Sequence, residues 1–503
     1  MYRTILEILE KTAEKFPNKV IYEDINREST YMEFIESSKK IGSSLAKKIN
    51  DINKPVAIYI DRSVTCLETM MGVTYSGNYF TVLDIKSPKE RIDSILNTLP
   101  DVSIIVEKKN VDKIKNFDFH GEIYIYEELI NENINQDILD FIRNKIIDTD
   151  PMYMQFTSGS TGVPKGIVIC HRSLITYAIS IKETFNIDER TKFGSEAPFY
   201  FSLSTLDTYT TMISGATMVI IPKTYFSFPI KLLEFLKEKE INTIYWVPSA
   251  LCIVANLKAL DEVELPNLKR VMFVGEVMPI KQLNIWMEHL PNATFINLYG
   301  PTEITDVCTY YVVDRKFNNE ESLPIGKSFN NCNVLILKDD GTRAKVGEEG
   351  ELCVRGSFLS LGYYNNPEKT SKSFVQNPLN KAYPEIIYRT GDIVKENEKG
   401  EIIYISRKDF QIKHMGYRIE LGEIESVVNN IEGIIACACV YDMQNKKIIL
   451  FYEAKNTLEE KELIKQIKDN LLNYMWPNEI HRLDKMVYNA NGKIDRVKLK
   501  KMI

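Results

Sequence analysis

The sequence is poor in the residues on which metal centres and disulfide frameworks depend. Its 503 residues include five histidines and eight cysteines, and no two cysteines are spaced as in C-x-x-C. This predicts neither a zinc site nor a disulfide scaffold, and it favours reduced thiols in a cytoplasmic protein. Long apolar runs are also missing, since no stretch of about 18 apolar residues predicts a transmembrane helix or membrane insertion. The N-terminal residues lack the apolar segment of a signal peptide.

An excess of positive charge is absent as well. Lysine and arginine number 63 against 69 acidic residues, giving a net charge of −6. Nothing here points to nucleic acid as a partner. A content of 44% hydrophobic and 26% charged residues is that of an ordinary globular protein. At about 150 residues per domain, the length predicts roughly two to four units.

Short apolar strands and helical segments alternate over residues 1–150, as in Val56–Ile60 and Ser103–Val106 (strands) and Leu6–Phe16 and Met70–Tyr79 (helices). This pattern predicts an α/β fold: a large N-terminal domain of parallel or mixed sheets flanked by helices. Beyond about residue 320, shorter β segments predict a small appended β unit. Beyond about residue 410, strands and helices predict a compact α+β C-terminal domain.

The richest motif is Gln-Phe-Thr-Ser-Gly-Ser-Thr-Gly-Val-Pro-Lys-Gly at 155–166, between the predicted strands Met152–Phe156 and Gly166–Cys170. Glycines let consecutive N–H groups point into one concavity, and hydroxyls and a lysine add donors and charge, so the loop suits phosphate oxygens. A polar hairpin loop would use the same residue types. The pattern argues against a Walker loop, because Lys165 is followed by glycine and the glycines at 159 and 162 are too close together.

Three further motifs follow in order. Asn-Leu-Tyr-Gly-Pro-Thr-Glu at 297–303 ends a predicted strand, where a hydroxyl and a carboxylate can bind a nucleotide and its Mg²⁺. Tyr-Arg-Thr-Gly-Asp at 388–392 places a carboxylate where it can accept ribose hydroxyls. Asn-Ala-Asn-Gly-Lys-Ile-Asp-Arg at 489–496 sets a lysine on a glycine turn near the C-terminus.

Together these motifs closely resemble the acyl-adenylate-forming superfamily, which includes peptide-synthetase adenylation domains, acyl-CoA synthetases and luciferase. Further matches lie at 83–91, 350–352 and 407–413, so the resemblance covers essentially the whole chain. It is closest to amino-acid adenylation enzymes. Total length and the segments 272–279 and 322–326 resemble the stand-alone D-alanine–D-alanyl carrier protein ligases.

The resemblance implies a reaction in two halves. A substrate carboxylate attacks the α-phosphorus of ATP to give an acyl-adenylate and pyrophosphate, and a thiol then attacks the adenylate. Lys493, Thr302 and Glu303 would be catalytic, with Glu303 binding Mg²⁺ and Lys493 bridging carboxylate and phosphate. The implied nucleotide-binding residues are Thr157, Ser158, Gly159, Ser160, Thr161, Gly162, Lys165, Asn297, Tyr299, Gly300, Asp392 and Arg407.

The resemblance also implies a mobile C-terminal domain and a partner. Residues 1–405 would form the adenylation core, 406–410 the hinge with Asp409 at its pivot, and 411–503 the lid. No Gly-Gly-x-Ser carrier segment follows Lys493, so the expected acceptor is the phosphopantetheine thiol of a separate carrier protein. Coenzyme A is the alternative acceptor. Retention of Lys165, Glu303, Asp392 and Lys493 argues against a degenerate, non-enzymatic adenylate-binding protein.

The substrate acid is where the sequence departs from its relatives. In α-amino-acid enzymes of this family an aspartate that pairs with the substrate ammonium follows an Ala-Pro-Phe-type segment, and here that position is Ser202. A buried ammonium without a counter-charge is costly, which argues against a plain α-amino acid such as D-alanine.

Asp306 leaves two hypotheses open. It binds the amine of a β- or ω-amino acid, or it is a solvated loop residue and the substrate is a neutral aryl or aliphatic acid. The predicted pocket comprises Ser202, Leu203, Leu206, Met272, Val274, Leu298, Asp306 and Val307, whose bulk suggests a small substrate. The apolar members could equally be ordinary core residues.

Overall fold

The structure is a computed structural model that describes residues 2–159, 163–318, 321–408, 411–443, 445–455, 458–488 and 494–503, without the side chain of Val497. Its strands are β1 (Val20–Glu23), β2 (Glu28–Thr30), β3 (Pro55–Tyr59), β4 (Tyr79–Val82), β5 (Ser103–Val106), β6 (Ile123–Ile125), β7 (Pro151–Thr157), β8 (Lys165–Cys170), β9 (Lys192–Ser195), β10 (Thr217–Ile220), β11 (Thr243–Trp246), β12 (Arg270–Phe273), β13 (Thr294–Tyr299), β14 (Thr309–Val312), β15 (Lys327–Ser328), β16 (Cys332–Leu337), β17 (Glu349–Gly356), β18 (Gly362–Tyr363), β19 (Phe374–Gln376), β20 (Ile386–Glu396), β21 (Ile402–Arg407), β22 (Gln411–His414), β23 (Tyr417–Glu420), β24 (Ile434–Asp442), β25 (Lys447–Ala454) and β26 (Glu479–Arg482).

The α-helices are α1 (Ile5–Lys15), α2 (Tyr31–Ile49), α3 (Val64–Tyr75), α4 (Lys89–Leu96), α5 (Val111–Ile114), α6 (Tyr126–Leu129), α7 (Gln136–Lys145), α8 (His171–Phe185), α9 (Ser204–Ser214), α10 (Pro229–Glu238), α11 (Pro248–Asn256), α12 (Ala259–Glu262), α13 (Ile280–His289), α14 (Pro367–Ser373), α15 (Leu421–Asn429), α16 (Glu460–Asn470) and α17 (Arg496–Lys500). Short 3₁₀ turns lie at Lys108–Asn110, Lys223–Ser227, Thr302–Ile304 and Asn473–Met475. Within the described ranges, no helix is both long and apolar enough to cross a membrane.

Two large sheets make up the N-terminal part of the chain. The first has the strand order β15-β14-β13-β12-β11-β9-β10-β1-β2, and the second has the order β18-β8-β7-β4-β3-β5-β6. Strands β13 through β1 pair in parallel in the first sheet, as do β7 through β6 in the second. Helices flank both sheets, as expected for parallel strands joined by helical crossovers. The predicted α/β class is confirmed.

One helix differs from its prediction. The apolar segment Met70–Tyr79 divides into the end of α3 and the start of β4, because Gly77 adopts a φ of +78° between them. Nearly every residue of α3 is buried, so the helix has no polar face to mark its limits in the sequence. Its true start is marked by Ser63, whose side chain accepts a hydrogen bond from the backbone N–H of Cys66.

A small β unit and the C-terminal part complete the chain. Strands β16, β17, β20, β19 and β21 form the predicted small β unit. Downstream, β24, β25 and β26 pair in a sheet, and α15 and α16 contribute to a hydrophobic cluster drawn from residues between 412 and 480. The β22–β23 hairpin reaches the carboxyl ends of the parallel strands in the first large sheet, where the backbone N–H of Gly416 donates to Glu276 just after β12. The proposed boundaries at 405 and 410 stay a prediction, and Asp409 lies outside the described residues.

Candidate active site

The main cavity lies where the C-terminal hairpin meets the first large sheet. Its lining combines apolar side chains with a few polar and charged groups, as in a ligand-binding cleft. Its walls come from the segments that follow four adjacent parallel strands, namely β9, β11, β12 and β13, which contribute Phe201, Val247, Val274 and Thr302. The carboxyl ends of parallel strands are the usual place for a ligand in an open α/β sheet.

The glycine-rich loop joins the antiparallel strands β7 and β8, where Thr157 pairs with Lys165. Thr157 and Ser158 line the cavity, and Ser160, Thr161 and Gly162 lie outside the described residues. The buried Lys165 ammonium is 3.5 Å from Oε1 of Glu420 on the hairpin. Burial, helped by nearby Arg418, lowers the pKa of Lys165 to about 7. An anionic ligand at this ammonium would favour its charged form.

Thr302 and Glu303 form the 3₁₀ turn that follows β13. Glu303 is fully buried; its Oε1 accepts a hydrogen bond from the Tyr363 hydroxyl (2.8 Å), and its Oε2 accepts one from Arg418 Nη1 (2.7 Å). Burial acts to raise the pKa of Glu303, but the charges of Arg418 and Lys165 outweigh it and hold the pKa at about 2. Glu303 is therefore ionised at neutral pH.

Asp392 and Arg407 are brought together by sheet register, since they face each other on β20 and β21. Arg407 Nη1 donates to Asp392 Oδ1 at 2.8 Å, and the Tyr299 hydroxyl donates to Oδ2. Asp392 and Arg407 line the cavity. The Tyr299 ring is buried, with the Lys413 ammonium 5.2 Å from its centroid.

Asp306 is buried and lines the cavity, so it is not a solvated loop residue. Its Oδ2 accepts hydrogen bonds from the Tyr177 hydroxyl on α8 (2.8 Å) and the Tyr245 hydroxyl on β11 (3.0 Å). Burial raises the pKa of Asp306 to about 8 despite these hydrogen bonds. Two other residues that line the cavity are joined by a hydrogen bond, which the Thr302 hydroxyl donates to Ser202 Oγ at 3.2 Å.

The other residues predicted from the sequence divide into two groups. Leu203, Val274 and Gly300 line the cavity. The other four predicted pocket residues are absent from the cavity lining in the described part of the chain. They pack in the hydrophobic core instead: Leu206, Met272, Leu298 and Val307. Asn297 is also turned away, with its Nδ2 donating to the Pro324 carbonyl at 2.7 Å. Lys493 lies outside the described residues.

Several residues with a place in the site were not assigned a role from the sequence. Tyr177 and Tyr245 carried no local signal, because tyrosines in apolar segments are typical core residues. Arg418 and Glu420 come shortly after the 407–413 match in the sequence, and their charges could have been examined against the glycine-rich loop.

Glu303 fits a magnesium ion only if a ligand's phosphate groups supply further oxygen ligands. Among the described residues, no three His, Cys, Asp or Glu side chains form a group that could hold a metal ion. Mg²⁺ usually binds through one or two carboxylates together with substrate phosphates and water, so a single glutamate beside a phosphate loop suffices. In this structure the Glu303 carboxylate is ion-paired with Arg418. The donor set thus fits Mg²⁺ together with a polyphosphate, once Arg418 has moved.

An α/β domain whose polar groups gather at the carboxyl ends of parallel strands has the usual architecture of a nucleotide-binding enzyme. A family model described as AMP-binding enzyme matches residues 9–364, so the chain belongs to the AMP-binding enzyme family.

Among the relatives, the D-alanine--D-alanyl carrier protein ligase of Bacillus cytotoxicus is 29% identical, over 98% of each chain. Gramicidin S synthase 1 of Brevibacillus brevis is 29% identical over 99% of this chain, which spans only 44% of that protein's length. Among solved structures, holo-PA1221, described as an NRPS protein containing adenylation and PCP domains, superposes with a TM-score of 0.85. The superposition covers 100% of this chain and 84% of the PA1221 chain at 21% sequence identity, so it shows that the fold is shared.

Proposed function

We propose that this chain adenylates a small carboxylic acid with ATP, releases pyrophosphate, and transfers the acyl group to the phosphopantetheine thiol of a separate carrier protein. The observation that carries the proposal is the gathering of the phosphate loop, Thr302 and the Asp392–Arg407 pair around one cavity. A relative of nearly equal length is named as a carrier protein ligase, which supports the choice of acceptor.

In the first half-reaction the enzyme must orient two anions and balance charge, since no protein nucleophile is required. Lys165 and the loop around Ser158 hold the β- and γ-phosphates, and Thr302 contacts the α-phosphate. Asp392 accepts the ribose hydroxyls, fixed in place by Arg407. Mg²⁺ bound at Glu303 would neutralise phosphate charge. Lys493 bridges the carboxylate and the α-phosphate, a role that suits a compact ammonium.

In the second half-reaction the thiol attacks the adenylate carbonyl and AMP leaves. Lys493 must withdraw first, which we assign to rotation of residues 411–503 about the hinge at Asp409. In this structure Gln411, Lys413, Gly416 and Arg418 of the hairpin line the cavity. This arrangement suits the second half-reaction, because the hairpin stands where polyphosphate would have to lie.

We further propose that the acid is an amino acid whose amine lies farther from the carboxylate than in an α-amino acid. Ser202 adjoins Thr302, where an α-ammonium would meet a hydroxyl and no carboxylate. Asp306 supplies a buried carboxylate in the same cavity, and its Oδ2 is already bound by two tyrosine hydroxyls. Oδ1 can accept an ammonium, and a β- or ω-amino acid such as β-alanine would place one there.

A pyrophosphate-exchange assay over a panel of acids tests the proposal. The panel contains β-alanine, longer ω-amino acids, D-alanine and neutral aryl and aliphatic acids. We expect β- or ω-amino acids to give the fastest exchange. Lys493→Ala should abolish exchange, whereas Lys485→Ala, which replaces an exposed lysine eight residues earlier in the sequence, should retain it. If none of the acids supported pyrophosphate exchange, the proposed adenylation activity would be refuted. A clear preference for D-alanine would refute the argument from Ser202. Loading of a purified holo-carrier protein, compared with coenzyme A, decides the acceptor.

A further inference from the structure

Strand β7 carries a buried amide side chain at the wall of the main cavity. Side chains alternate between the two faces of a strand, and Met154 and Phe156 pack with a smaller hydrophobic cluster on one face of β7, while Tyr153 belongs to the large core on the other. Gln155 and Thr157 therefore share the face of Tyr153. Gln155 is 6% exposed and lines the cavity, so it belongs to the site although its side chain is almost fully buried.

The amide of Gln155 is set among apolar neighbours. Ile167 is its partner on β8, and Val82 on β4 is level with it, two residues beyond the Phe80–Tyr153 pair. Both neighbours pack in the large core. In the described part of the chain, Gln155 Oε1 is buried and has no hydrogen-bond partner. A buried acceptor in this state lowers the stability of the fold, so its presence points to a ligand that supplies the missing donor.

The contacts of Tyr153 show what this face of β7 looks onto. Its hydroxyl oxygen lies 3.4 Å from Thr205 Oγ1 and 3.4 Å from the Thr305 carbonyl oxygen. Thr205 is in the first turn of α9, and Thr305 directly precedes Asp306. Gln155 is the next side chain on the same face, roughly 7 Å farther toward the carboxyl end of the strand. It therefore approaches the cavity from the second sheet, while Asp306 approaches it from the first.

The missing partner of Gln155 Oε1 must be a hydrogen-bond donor. Carboxylate and phosphate oxygens only accept, so neither the carboxylate of the acid nor the polyphosphate can satisfy this atom. An ammonium on the acid carries three N–H donors, and Asp306 supplies its counter-charge. A neutral amide suits a second contact, because one ammonium needs one counter-charge and a further buried carboxylate would stay uncompensated.

We propose that Gln155 is a specificity-determining residue whose amide oxygen accepts a hydrogen bond from the substrate ammonium, which is thereby held between β7 and Asp306. The inference rests on the proposed adenylation of an amino acid and adds a second contact to its amine. It also carries a cost, since the amide stays unpaired whenever the site is empty. Gln155 should therefore aid recognition of the substrate and destabilise the substrate-free chain, a common trade-off at functional sites.

The test replaces Gln155 by methionine, which keeps the length of the side chain and removes both polar atoms. In pyrophosphate exchange, Gln155→Met should lower kcat/KM about tenfold or more for the best amino acid of the panel, β-alanine being tried first, because a hydrogen bond to a charged group is lost. The corresponding acid without the amine, propionate in the case of β-alanine, should be unaffected, and so should KM for ATP. The urea midpoint of the substrate-free variant should rise, because the unpaired amide is gone.

Thr81→Val is the matched control. Thr81 lies on β4 at 1% exposure, its Oγ1 also has no partner among the described residues, and it is absent from the cavity lining there. This change should raise the urea midpoint too, but it should leave kcat/KM for every acid unchanged. Gln155→Asn, which withdraws the oxygen by one methylene, should lose the amino acid without the gain in stability, and it carries the test if Gln155→Met does not fold.

Unchanged kcat/KM for the amino acid, or equal losses for the amino acid and the acid without an amine, would overturn the proposal. A lower urea midpoint in Gln155→Met would also overturn it, because Oε1 would then have a partner within the protein. Normal exchange with slowed transfer to the carrier protein would assign the amide to the pantetheine arm, whose amides also carry N–H donors, and not to the acid. Failure of the proposed function would look different, since the wild-type chain would then exchange with no acid at all, whereas failure of this inference alone leaves wild-type exchange intact.

Discussion

Replacing Asp306 by asparagine tests the proposed role of this residue in binding the acid substrate. Asparagine has nearly the same shape, and its amide oxygen can accept the hydrogen bonds that Tyr177 and Tyr245 donate to Asp306. The change therefore removes a buried ionisable group while keeping its packing. We expect it to alter both the pH dependence of stability and the choice of substrate.

The stability effect follows from the shifted pKa. Burial and the nearby Asp207 raise the pKa of Asp306 from an ordinary 3.8 to about 8, against the opposing effects of the Tyr177 and Tyr245 hydrogen bonds and of Lys413. The folded state holds the Asp306 proton more tightly than the unfolded state, so proton binding adds to the free energy of unfolding. This contribution is complete below the ordinary pKa and is lost as pH rises through the folded-state pKa. Between pH 5 and pH 8 the loss of stability is roughly 3.5 kcal/mol, and the asparagine variant should not show it.

The assay is urea unfolding of both proteins at pH 5 and pH 8, with the exposed Asp469→Asn in α16 as the control. The variant should gain stability relative to wild type at pH 8 and should differ little at pH 5. In pyrophosphate exchange, kcat/KM for an amino substrate should fall about 100-fold, since an ammonium would lose its buried counter-charge, while a neutral acid of similar size should be unaffected. Equal pH dependence in wild type and variant would refute the buried carboxyl, and unchanged amino-acid turnover would refute its role with the ammonium.

Two further substitutions separate acid recognition from nucleotide binding. Ser202→Asp places a carboxylate beside Thr302, and it should raise kcat/KM for α-amino acids relative to β-amino acids in pyrophosphate exchange; an unchanged ranking would contradict the position assigned to the α-amine. Asp392→Asn removes a charged acceptor for the ribose, and it should raise KM for ATP about tenfold or more while preserving the ranking of acids. A changed ranking with an unchanged KM for ATP would contradict the ribose assignment.

The sequence allowed the fold class to be predicted, and it singled out several residues that the structure gathers around one cavity, because these features depend on local patterns. Short apolar strands mark parallel sheets, and the phosphate loop has a distinctive order of glycines and hydroxyls. The surroundings of Asp306 were not predictable in this way. Tyr177 and Tyr245 come from a helix and a strand that are 129 and 61 residues away in sequence, and only the packing of α8 against the sheet brings them to one oxygen. The Arg418–Glu303 pair joins residues 115 apart in the same manner.

The buried carboxylates of the site differ in their partners, and this difference indicates what each one does. Glu303 is paired with Arg418, Asp392 with Arg407 and Glu423 with Arg91. Asp306 instead receives two hydroxyl hydrogen bonds within the described part of the chain. Its pKa rises to about 8, while that of Glu303 falls to about 2. A carboxylate that is already paired with an arginine must exchange its partner when a ligand arrives. Asp306, whose raised pKa leaves it largely protonated at neutral pH, can instead ionise beside an incoming ammonium, because an opposite charge favours the ionised form. This asymmetry favours an amino substrate over a neutral acid.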